Sequence, residues 1–490
     1  MSPSLVYDDI AVADPALKEL LGVTHFGSLT FQRRTRSHAM AEIAHRAGAG
    51  FIHLRTPADR DTLLERLRTD EANSLFLHIP AHLVPACTDD ALVTLLKQIT
   101  FAPSNLHLPL DGNPQKGWAL LRGTLLRQLL MKAGNDTPGE FFETYGDALV
   151  EVRDRLSLLD ISDERTLLDY LSGQLDARHF NAIARDDYIV TKRSTDRAKL
   201  KREFDFYQAV PPRMRMFLVQ PFDFEDDGHT ASYRMERLSV PDMALQWVHG
   251  AFQPHEFERF LRHMFYFLEN RPAKQVTRPD AVAAQDELYL RKVRDRITQF
   301  KTLPAYGDLA PLLERACGGI DALLQRYLDM FAKARTHLPT DRLVIGHGDP
   351  CFSNILYSKT NQYLKLIDPR GAENDSDLYT DPLYDVAKLS HSILGQYDFI
   401  NQGKFDIAVD EGLHPRLRFE APPAAWAAPM FIEQLKAAGY DPKMVRLCEA
   451  SLFISMLPLH IDQPRKVLGF AVRAAAILDE LVTAKYGTKL

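Results

Sequence analysis

The sequence predicts an α+β protein in which an α/β segment comes first and a long helical segment comes last. Three patterns along the 490 residues indicate this fold class. Residues 1–155 alternate short apolar runs with helical spacing, and residues 156–240 favour strands joined by polar turns. Residues 241–490 carry long amphipathic stretches. We therefore expect three regions with these boundaries.

The composition is that of a folded protein without a strongly charged partner. Hydrophobic residues make up 46% and charged residues 25% of the chain, and its net charge is −6. A chain without a basic excess is a poor candidate for binding nucleic acid. The four cysteines show neither disulfide nor metal-ligand spacing. No signal peptide and no membrane span is visible, so we expect a cytoplasmic protein.

Residues 1–155 are predicted to form an α/β domain. Apolar runs at residues 51–55 and 74–79 indicate strands, and leucines at helical spacing over residues 61–68 indicate a helix between them. Such alternation favours a layered sheet with some parallel pairing. Further helices are predicted over residues 90–99, 118–132 and 140–156.

This first domain shows no recognisable catalytic motif. It has no glycine-rich phosphate loop, so a nucleotide-sugar transferase is not indicated. Arg33, Arg34 and Arg36 follow Gly27 and Ser28 and could hold an anion, although a solvated basic turn is the alternative. We expect a recognition or assembly module, and its role stays open.

The segment 156–240 offers a lysine and a glutamate for a nucleotide site. Strands are predicted at residues 180–185 and 188–192, and the second ends on Lys192. Glu203 borders the apolar stripe of the next helix and should face inward, where an unpaired charge would be costly. We expect it to pair with Lys192. A surface lysine and an ordinary helix glutamate are the alternative.

The densest chemical signal lies between residues 347 and 368. The stretch 347–354 reads His-Gly-Asp-Pro-Cys-Phe-Ser-Asn, and Asp368 follows a predicted hairpin. Asp349, Asn354 and Asp368 thus lie on loops at strand ends. Phosphoryl transfer uses a carboxylate at the attacking hydroxyl, and an amide plus a carboxylate to hold Mg²⁺. The alternative is a turn Asp, a cap Asn and a loop Asp that are close only by coincidence.

With His-Gly-Asp-x-x-x-x-Asn followed by Ile-Asp, the chain resembles the aminoglycoside phosphotransferase and choline kinase superfamily over about residues 165–490. The resemblance implies a bilobal protein-kinase-like fold, with a β-rich N-lobe and a helical C-lobe, preceded here by the α/β domain. It implies ATP and Mg²⁺ as cofactors, Asp349 as the catalytic residue, and Asn354 and Asp368 as metal ligands. Asp385 would brace the catalytic loop.

The same resemblance assigns nucleotide-binding positions on the predicted N-lobe. A phosphate-covering turn is weakly marked, with only one Ser-Gly pair before the first hairpin. Two further strands are predicted at residues 217–222 and 231–238, and the second occupies the place of the hinge that contacts adenine. The positions so implied are Lys192, Glu203, Ser172, Gly173, Met235 and Glu236.

The acceptor is expected to be a small molecule with a hydroxyl group. Tyr289, Lys292 and Arg296 recur at helical spacing and indicate either a solvated face or an acceptor-binding face. The acidic stretch at residues 373–379 would suit a cation, with a solvated loop as the alternative. His460 and Asp462 could line the acceptor pocket or belong to a helix-linking turn.

From Asp385 to Pro458-Leu459-His460 the chain also looks similar to kinase-like proteins associated with bacterial capsule and surface-polysaccharide synthesis. This resemblance implies a sugar or a sugar derivative as the acceptor. A choline- or aminoglycoside-type kinase is one alternative. A catalytically inactive pseudokinase that serves as a scaffold is the other, and it would leave the first domain as the working part.

Overall fold

The fold is taken from a computed structural model that describes residues 3–10, 15–31, 33–69, 71–132, 139–153, 155–172, 181–186, 188–411, 415–419 and 424–483. The chain divides into two compact units, residues 1–175 and 176–490. The predicted α+β class is confirmed, because sheets and helices make up both units. Of the helices in the described ranges, none has the length and apolar character needed to cross a bilayer.

The first unit is built on a six-stranded mixed sheet. The strand Ser4–Asp8 pairs in parallel with a neighbour on each side, and the remaining strands include a long antiparallel hairpin. Buried apolar residues pack between the sheet and the helices on its faces. Across the sheet the strands are Gly50–Leu54, Ser4–Asp8, Leu75–Pro80, Asn113–Arg122, Leu106–Leu110 and Val150–Glu151.

Helices of the first unit connect these strands. Thr35 and Thr88 cap two of them by accepting the amide hydrogens of His38 and Ala91, as threonine does at helix starts. Strands Thr30–Phe31 and Arg34–Thr35 form a small hairpin before the first capped helix. The helices are Pro15–Leu21, Arg36–Ala47, Pro57–Thr69, Asp89–Ile99, Gly123–Lys132, Gly139–Tyr145 and Glu164–Ser172.

Two predicted helices of this unit were partly wrong. Residues 118–122 belong to the strand Asn113–Arg122, because a strand buried on both faces is a continuous apolar run and reads like a buried helix. The helix predicted over residues 140–156 ends at Tyr145, just before Gly146, and a short strand, Val150–Glu151, follows.

The predicted boundary at residue 155 also differs from the structure. Strand Leu158–Asp160 pairs in antiparallel fashion with Leu83–Pro85. It is followed by the helix Glu164–Ser172, although residues 156–240 were expected to favour strands. Residues 156–175 therefore belong with the first unit. Short strands that pair with distant partners carry no local signal of the domain to which they belong.

The second unit begins with a four-stranded antiparallel sheet. Its order is Asn181–Arg185, Ile189–Ser194, Ala231–Glu236 and Pro221–Asp226. The helix Arg197–Ala209 packs on this sheet, with its start capped by Asp196. The strand predicted at residues 217–222 starts instead at Pro221, after the short helix Pro212–Arg215.

The rest of the second unit is mainly helical around one large apolar core. Three small sheets are set into it: Ala273–Gln275 with Arg342–Ile345 and Tyr379–Thr380, Ile355–Ser358 with Tyr363–Leu366, and Phe405–Val409 with Pro415–Phe419. The helices are Met243–Val248, Pro254–Glu269, Arg278–Asp286, Lys292–Thr302, Tyr306–Cys317, Ile320–Ala334, Leu383–Ile393, Tyr397–Asn401, Ala427–Ala437, Pro442–Met456 and Pro464–Val482, with a π-helical turn at Glu287–Arg291.

Candidate active site

The loop that carries Asp349 lies between two short strands of the second unit. Strand Arg342–Ile345 leads into it, and a 3₁₀ turn, Phe352–Asn354, leads out into the hairpin strand Ile355–Ser358. The Asn354 side-chain amide donates to the Asp349 carbonyl oxygen over 2.9 Å. The Asn354 carbonyl accepts the Ile367 amide hydrogen over 3.0 Å. The loop therefore lies beside the hairpin end that carries Asp368.

A buried carboxylate holds the start of this loop. The two oxygens of Asp385 accept the backbone N–H groups of His347 and Gly348, both over 2.9 Å. Arg271 donates to the same carboxylate over 3.0 Å, and both side chains are buried. Gly348 has φ of 86°, which glycine adopts without strain. Asp385 thus has the contacts that the predicted brace requires.

Asp349 forms an ion pair that the sequence did not predict. Its side chain is 41% exposed, and its Oδ1 lies 2.9 Å from Nζ of Lys388. Desolvation alone would raise the pKa of Asp349, but the ammonium of Lys388 outweighs it and holds the pKa below its usual range. Lys388 lies one helical turn after Asp385 on Leu383–Ile393, and that i, i+3 spacing was the available signal.

Lys192 lies between two carboxylates. Its Nζ is 2.6 Å from Oε2 of Glu203 and 2.9 Å from Oδ1 of Asp368. The predicted contact of Lys192 with Glu203 is therefore present, and both residues are buried. Burial disfavours the charged lysine, but Asp368 and its other neighbours outweigh that cost and raise its pKa. Burial raises the pKa of Glu203. Asp368 has a left-handed φ of 58°.

A pocket opens beside Asp368 on the inner side of the four-stranded sheet. Met235 contributes to its wall from the strand Ala231–Glu236, whereas Glu236 is exposed and is not among the lining residues. Ser172 ends a helix of the first unit, and its side chain, like all of Gly173, lies outside the described residues. Residues that line the pocket include Glu203, Tyr207, Leu218, Met235 and Asp368.

The predicted face of Tyr289, Lys292 and Arg296 does not exist as one exposed surface. Tyr289 is buried and donates to Asp381 over 3.0 Å, whereas Arg296 is half-buried and contacts Gln299. The π-helical turn Glu287–Arg291 adds a residue to one turn and so rotates the positions that follow it. Lys292 is half-buried and donates to the Tyr384 hydroxyl over 2.8 Å.

Other predicted positions have ordinary structural surroundings. His460 is buried with its ring against Phe470, which indicates packing. Glu373, in the acidic stretch, is exposed and pairs with Arg202 over 2.9 Å. Burial raises the pKa of the Cys351 thiol, as expected for a packing residue.

In the first unit, Arg34 and Arg36 do not belong to a solvated basic turn. Arg34 pairs with Glu42 and Asp89, and Arg36 is buried against the ring of Tyr170, 5.2 Å from its centroid. Over the described ranges, no three His, Cys, Asp or Glu side chains converge as a metal-ligand group. Two Asp–His pairs at the end of the strand Ser4–Asp8 were not predicted from the sequence: Asp8 with His78 at 3.1 Å, and Asp9 with His53 at 3.3 Å.

Comparison with known proteins gives distant structural neighbours. No protein-family model matches the chain, and no curated protein sequence matches it. One neighbour is a thermostable mutant of aminoglycoside phosphotransferase APH(4)-Ia in ternary complex with AMP-PNP and hygromycin B. It shows 13% identity and a TM-score of 0.38, covering 66% of this chain and 100% of that chain.

A second neighbour is spectinomycin phosphotransferase APH(9)-Ia in complex with ADP and spectinomycin. Its identity is 11% and its TM-score 0.35, over 62% of this chain and 91% of that chain. The names of these two neighbours are those of an aminoglycoside and a spectinomycin phosphotransferase, and neither name gives a link to capsule synthesis. The likeness is too distant to assign chemistry, which depends on the contacts of this chain's own residues.

Proposed function

We propose that this protein is an ATP-dependent small-molecule kinase that moves the γ-phosphoryl group of ATP to a hydroxyl of a sugar or sugar derivative. The observation that carries the proposal is the buried Lys192 held between Glu203 and Asp368. A buried lysine with two carboxylates keeps its positive charge and a fixed position. Phosphate binding in kinases uses this combination of residues.

The nucleotide would occupy the pocket beside Asp368. In this proposal Lys192 binds the phosphates, Glu203 orients Lys192, and Met235 packs near the base. The backbone at Glu236 would contact adenine. Ser172 and Gly173 stay the proposed phosphate-covering turn.

Asn354 and Asp368 fit the ligand preferences of Mg²⁺. Both offer oxygen donors, and Mg²⁺ is commonly held by one or two protein ligands together with substrate phosphates. The Asn354 amide nitrogen is occupied by the Asp349 carbonyl, which leaves its amide oxygen for a cation. When bound there, Mg²⁺ would neutralise charge on the phosphates.

Asp349 would orient the acceptor hydroxyl and accept its proton. The hydroxyl oxygen attacks the γ-phosphorus, the bond to the β-phosphate oxygen breaks, and ADP leaves. The pKa of Asp349 lies below its usual range, so the carboxylate is ionised at neutral pH and ready to accept a hydrogen bond. A weak base is sufficient because the transition state is loose and catalysis depends mainly on positioning and charge stabilisation.

The charges around Asp349 favour a sugar over a choline- or aminoglycoside-type acceptor. A cationic acceptor calls for acidic and aromatic side chains near the reacting hydroxyl. Lys388 lies at Asp349 instead, and Arg370 and Lys292 lie around the nearby Tyr384. Three cations at this position would repel a cationic acceptor.

Two measurements on the purified full chain test this function. Calorimetry with ATP, with and without Mg²⁺, tests nucleotide binding. A coupled ADP-release screen over hexoses, amino sugars, polyols, choline and aminoglycosides tests the acceptor. Asp349→Asn should abolish turnover, and Asp295→Asn, at an exposed helix position, should not. Absence of Mg·ATP binding would refute the kinase and favour the scaffold alternative, and turnover with only choline or an aminoglycoside would refute the sugar.

A further inference from the structure

Two cations share one buried tyrosine hydroxyl next to the Asp349 loop. The Tyr384 oxygen accepts from Nζ of Lys292 at 2.8 Å and from a guanidinium nitrogen of Arg370 at 3.3 Å. Both cations also lie against the Tyr384 ring, with Lys292 Nζ 5.1 Å and Arg370 Cζ 5.3 Å from its centroid. Tyr384 is only 1% exposed, so its hydroxyl is a fixed anchor for both side chains.

Lys292, Arg370 and Lys388 form a cluster with Tyr384 and Asp349, and this cluster has more positive than negative charge. Lys388 pairs with Asp349, but within the described part of the chain no carboxylate oxygen lies within 4.0 Å of Lys292 or Arg370. Burial lowers the pKa of Lys292, with Arg370 and Lys388 acting in the same direction. A half-buried cation with only a tyrosine hydroxyl as partner is costly unless an anion joins it.

Tyr384 itself responds to this excess of positive charge. Desolvation would raise the pKa of its hydroxyl, but the charges of Arg370, Lys292 and Lys388 lower it to about 7. The neighbouring ring on the side of the core is that of Tyr289, 6.4 Å away. The Tyr384 hydroxyl is therefore the group that contacts both Lys292 and Arg370, while the carboxylates of Asp349 and Asp385 act on Arg370 from more than 4.0 Å away.

The backbone fixes this cluster against the catalytic loop. The Arg370 amide donates to the His347 carbonyl over 2.8 Å. A Cβ on Gly348 would lie 2.6 Å from the Cβ of Arg370, so the two chain segments touch. Arg370 is an exposed residue. One of its guanidinium nitrogens donates to Tyr384, which leaves its remaining N–H groups for a ligand. Arg370 therefore lies next to the loop that carries Asp349, and Lys292 and Tyr384 contact each other beside it.

Lys292 reaches the cluster from an irregular turn of helix. It directly follows the π-helical segment Glu287–Arg291, which is held by Tyr289 at Asp381. Single π-helical turns are uncommon and occur often at functional sites, where they redirect a side chain. Here the turn separates Lys292 from the exposed side of its helix and directs it to Tyr384.

We propose that the acceptor of this kinase carries an anionic group, a phosphate or a carboxylate, which Lys292 and Arg370 bind while its hydroxyl lies at Asp349. This inference rests on the proposed function and narrows the acceptor to a sugar phosphate or sugar acid. Arg370 supplies the planar donor pair that matches either anion, and Lys292 supplies a second charge. The bound anionic group of the acceptor would then replace Tyr384 as the main partner of both cations.

The test compares matched acceptors on the Mg·ADP-loaded full chain. Calorimetry measures the Kd of glucose, glucose 6-phosphate and glucuronate, and of glycerol, glycerol 3-phosphate and glycerate. We expect at least one charged compound to bind at least about tenfold more tightly than its neutral counterpart, the effect of one charge-assisted contact. Comparison of the phosphate with the carboxylate identifies the group preferred.

Variants decide whether the two cations are responsible. Arg370→Gln, at an exposed side chain, and Lys292→Gln should each remove most of the preference for the charged compound. Arg294→Gln, an exposed arginine on the same helix as Lys292, is the matched control and should keep it. Inorganic phosphate should bind the Mg·ADP complex of the wild type and of the control more tightly than that of the two variants.

The outcomes separate this inference from the proposed function. Failure of the wild type to bind Mg·ADP would refute the kinase itself. Binding of Mg·ADP without tighter binding of any charged compound would refute the anionic acceptor and leave the kinase intact. A charged preference that survives both Lys292→Gln and Arg370→Gln would refute the assigned residues. Equal losses of kcat for charged and neutral acceptors would place the two cations at the transferred phosphoryl group instead.

Discussion

Nζ of Lys192 lies 2.9 Å from Oδ1 of Asp368, the residue proposed to hold Mg²⁺. The lysine also contacts Glu203 at 2.6 Å, so it has a second partner when a divalent cation competes for Asp368. The same carboxylate thus connects the proposed phosphate-binding lysine to the proposed metal site. Nucleotide affinity and Mg²⁺ should consequently be coupled through Asp368.

Replacement of Asp368 by Asn should abolish the effect of Mg²⁺ on nucleotide binding. We expect Mg²⁺ to raise the ATP affinity of the wild type by about tenfold or more, equivalent to about 1.4 kcal/mol. Asp368→Asn should bind ATP almost equally with and without Mg²⁺, because a neutral amide oxygen binds the cation more weakly than a carboxylate does. Calorimetry in Mg²⁺ and in EDTA measures this. Asp377→Asn, in an exposed position nearby, is the control and should behave as wild type. If Asp368→Asn kept the full effect of Mg²⁺ on ATP affinity, Asp368 would not be a metal ligand.

Replacement of Lys192 by Met should destabilise the second unit. Removal of one partner from a buried ion pair typically costs about 3–5 kcal/mol, because the other charge stays buried without compensation. Lys192→Met combined with Glu203→Gln should lose less stability than Lys192→Met alone. Urea unfolding measures the difference. Lys199→Met, at a 45% exposed lysine 3.7 Å from Glu203, is the control and should cost under about 1 kcal/mol. If the loss of stability in the double variant equalled the sum of the losses in Lys192→Met and Glu203→Gln, the buried pair would be contradicted.

Replacement of Asp385 by Asn should impair turnover more than nucleotide binding. Asn offers one oxygen where Asp385 uses two, and it leaves the buried Arg271 without its carboxylate. A shift of the Asp349 loop of about 1 Å can lower the rate by about a hundredfold. Steady-state kinetics should therefore show a loss in kcat of about that size with little change in KM for ATP. An unchanged kcat would show that the loop keeps its position without the brace.

Contacts that are local in the chain were predictable, and contacts made by the tertiary fold were not. Lys192 and Glu203 are eleven residues apart, on a strand and the helix that follows it. The strand end at Lys192 and the apolar stripe of the helix that carries Glu203 were therefore enough to predict that the two side chains meet. Lys292 and Tyr384 are 92 residues apart, and the π-helical turn that redirects Lys292 has no simple sequence pattern. Lys388 at Asp349 was missed although its spacing from Asp385 on the helix Leu383–Ile393 was a usable signal.

The stability of the chain should depend on pH through Asp398. This side chain is fully buried, and among the described residues no lysine, arginine or histidine pairs with it. Burial, together with the nearby Asp242, raises the pKa of Asp398 to about 7. A carboxyl whose pKa is raised by folding contributes stability below its unfolded pKa of about 3.9 and loses it as pH rises through 7.

Comparison with Asp398→Asn isolates this contribution. The wild type should lose stability relative to Asp398→Asn between pH 5 and pH 8, by on the order of 2 kcal/mol. Urea unfolding of both proteins at several pH values measures the difference, in which other titrating groups such as Tyr384 cancel. Parallel stability curves for the two proteins would show that Asp398 is ionised in the folded state throughout this range.

The pairing of Leu158–Asp160 with Leu83–Pro85 determines where the chain can be shortened. Asp160 also lies 2.7 Å from Nζ of Lys116. A truncation that starts at residue 156 would remove this strand from its sheet and leave an unpaired edge on both fragments. Such edges promote aggregation. A cut after residue 175 leaves every described strand with its partner, so residues 1–175 and 176–490 are the two fragments to express separately.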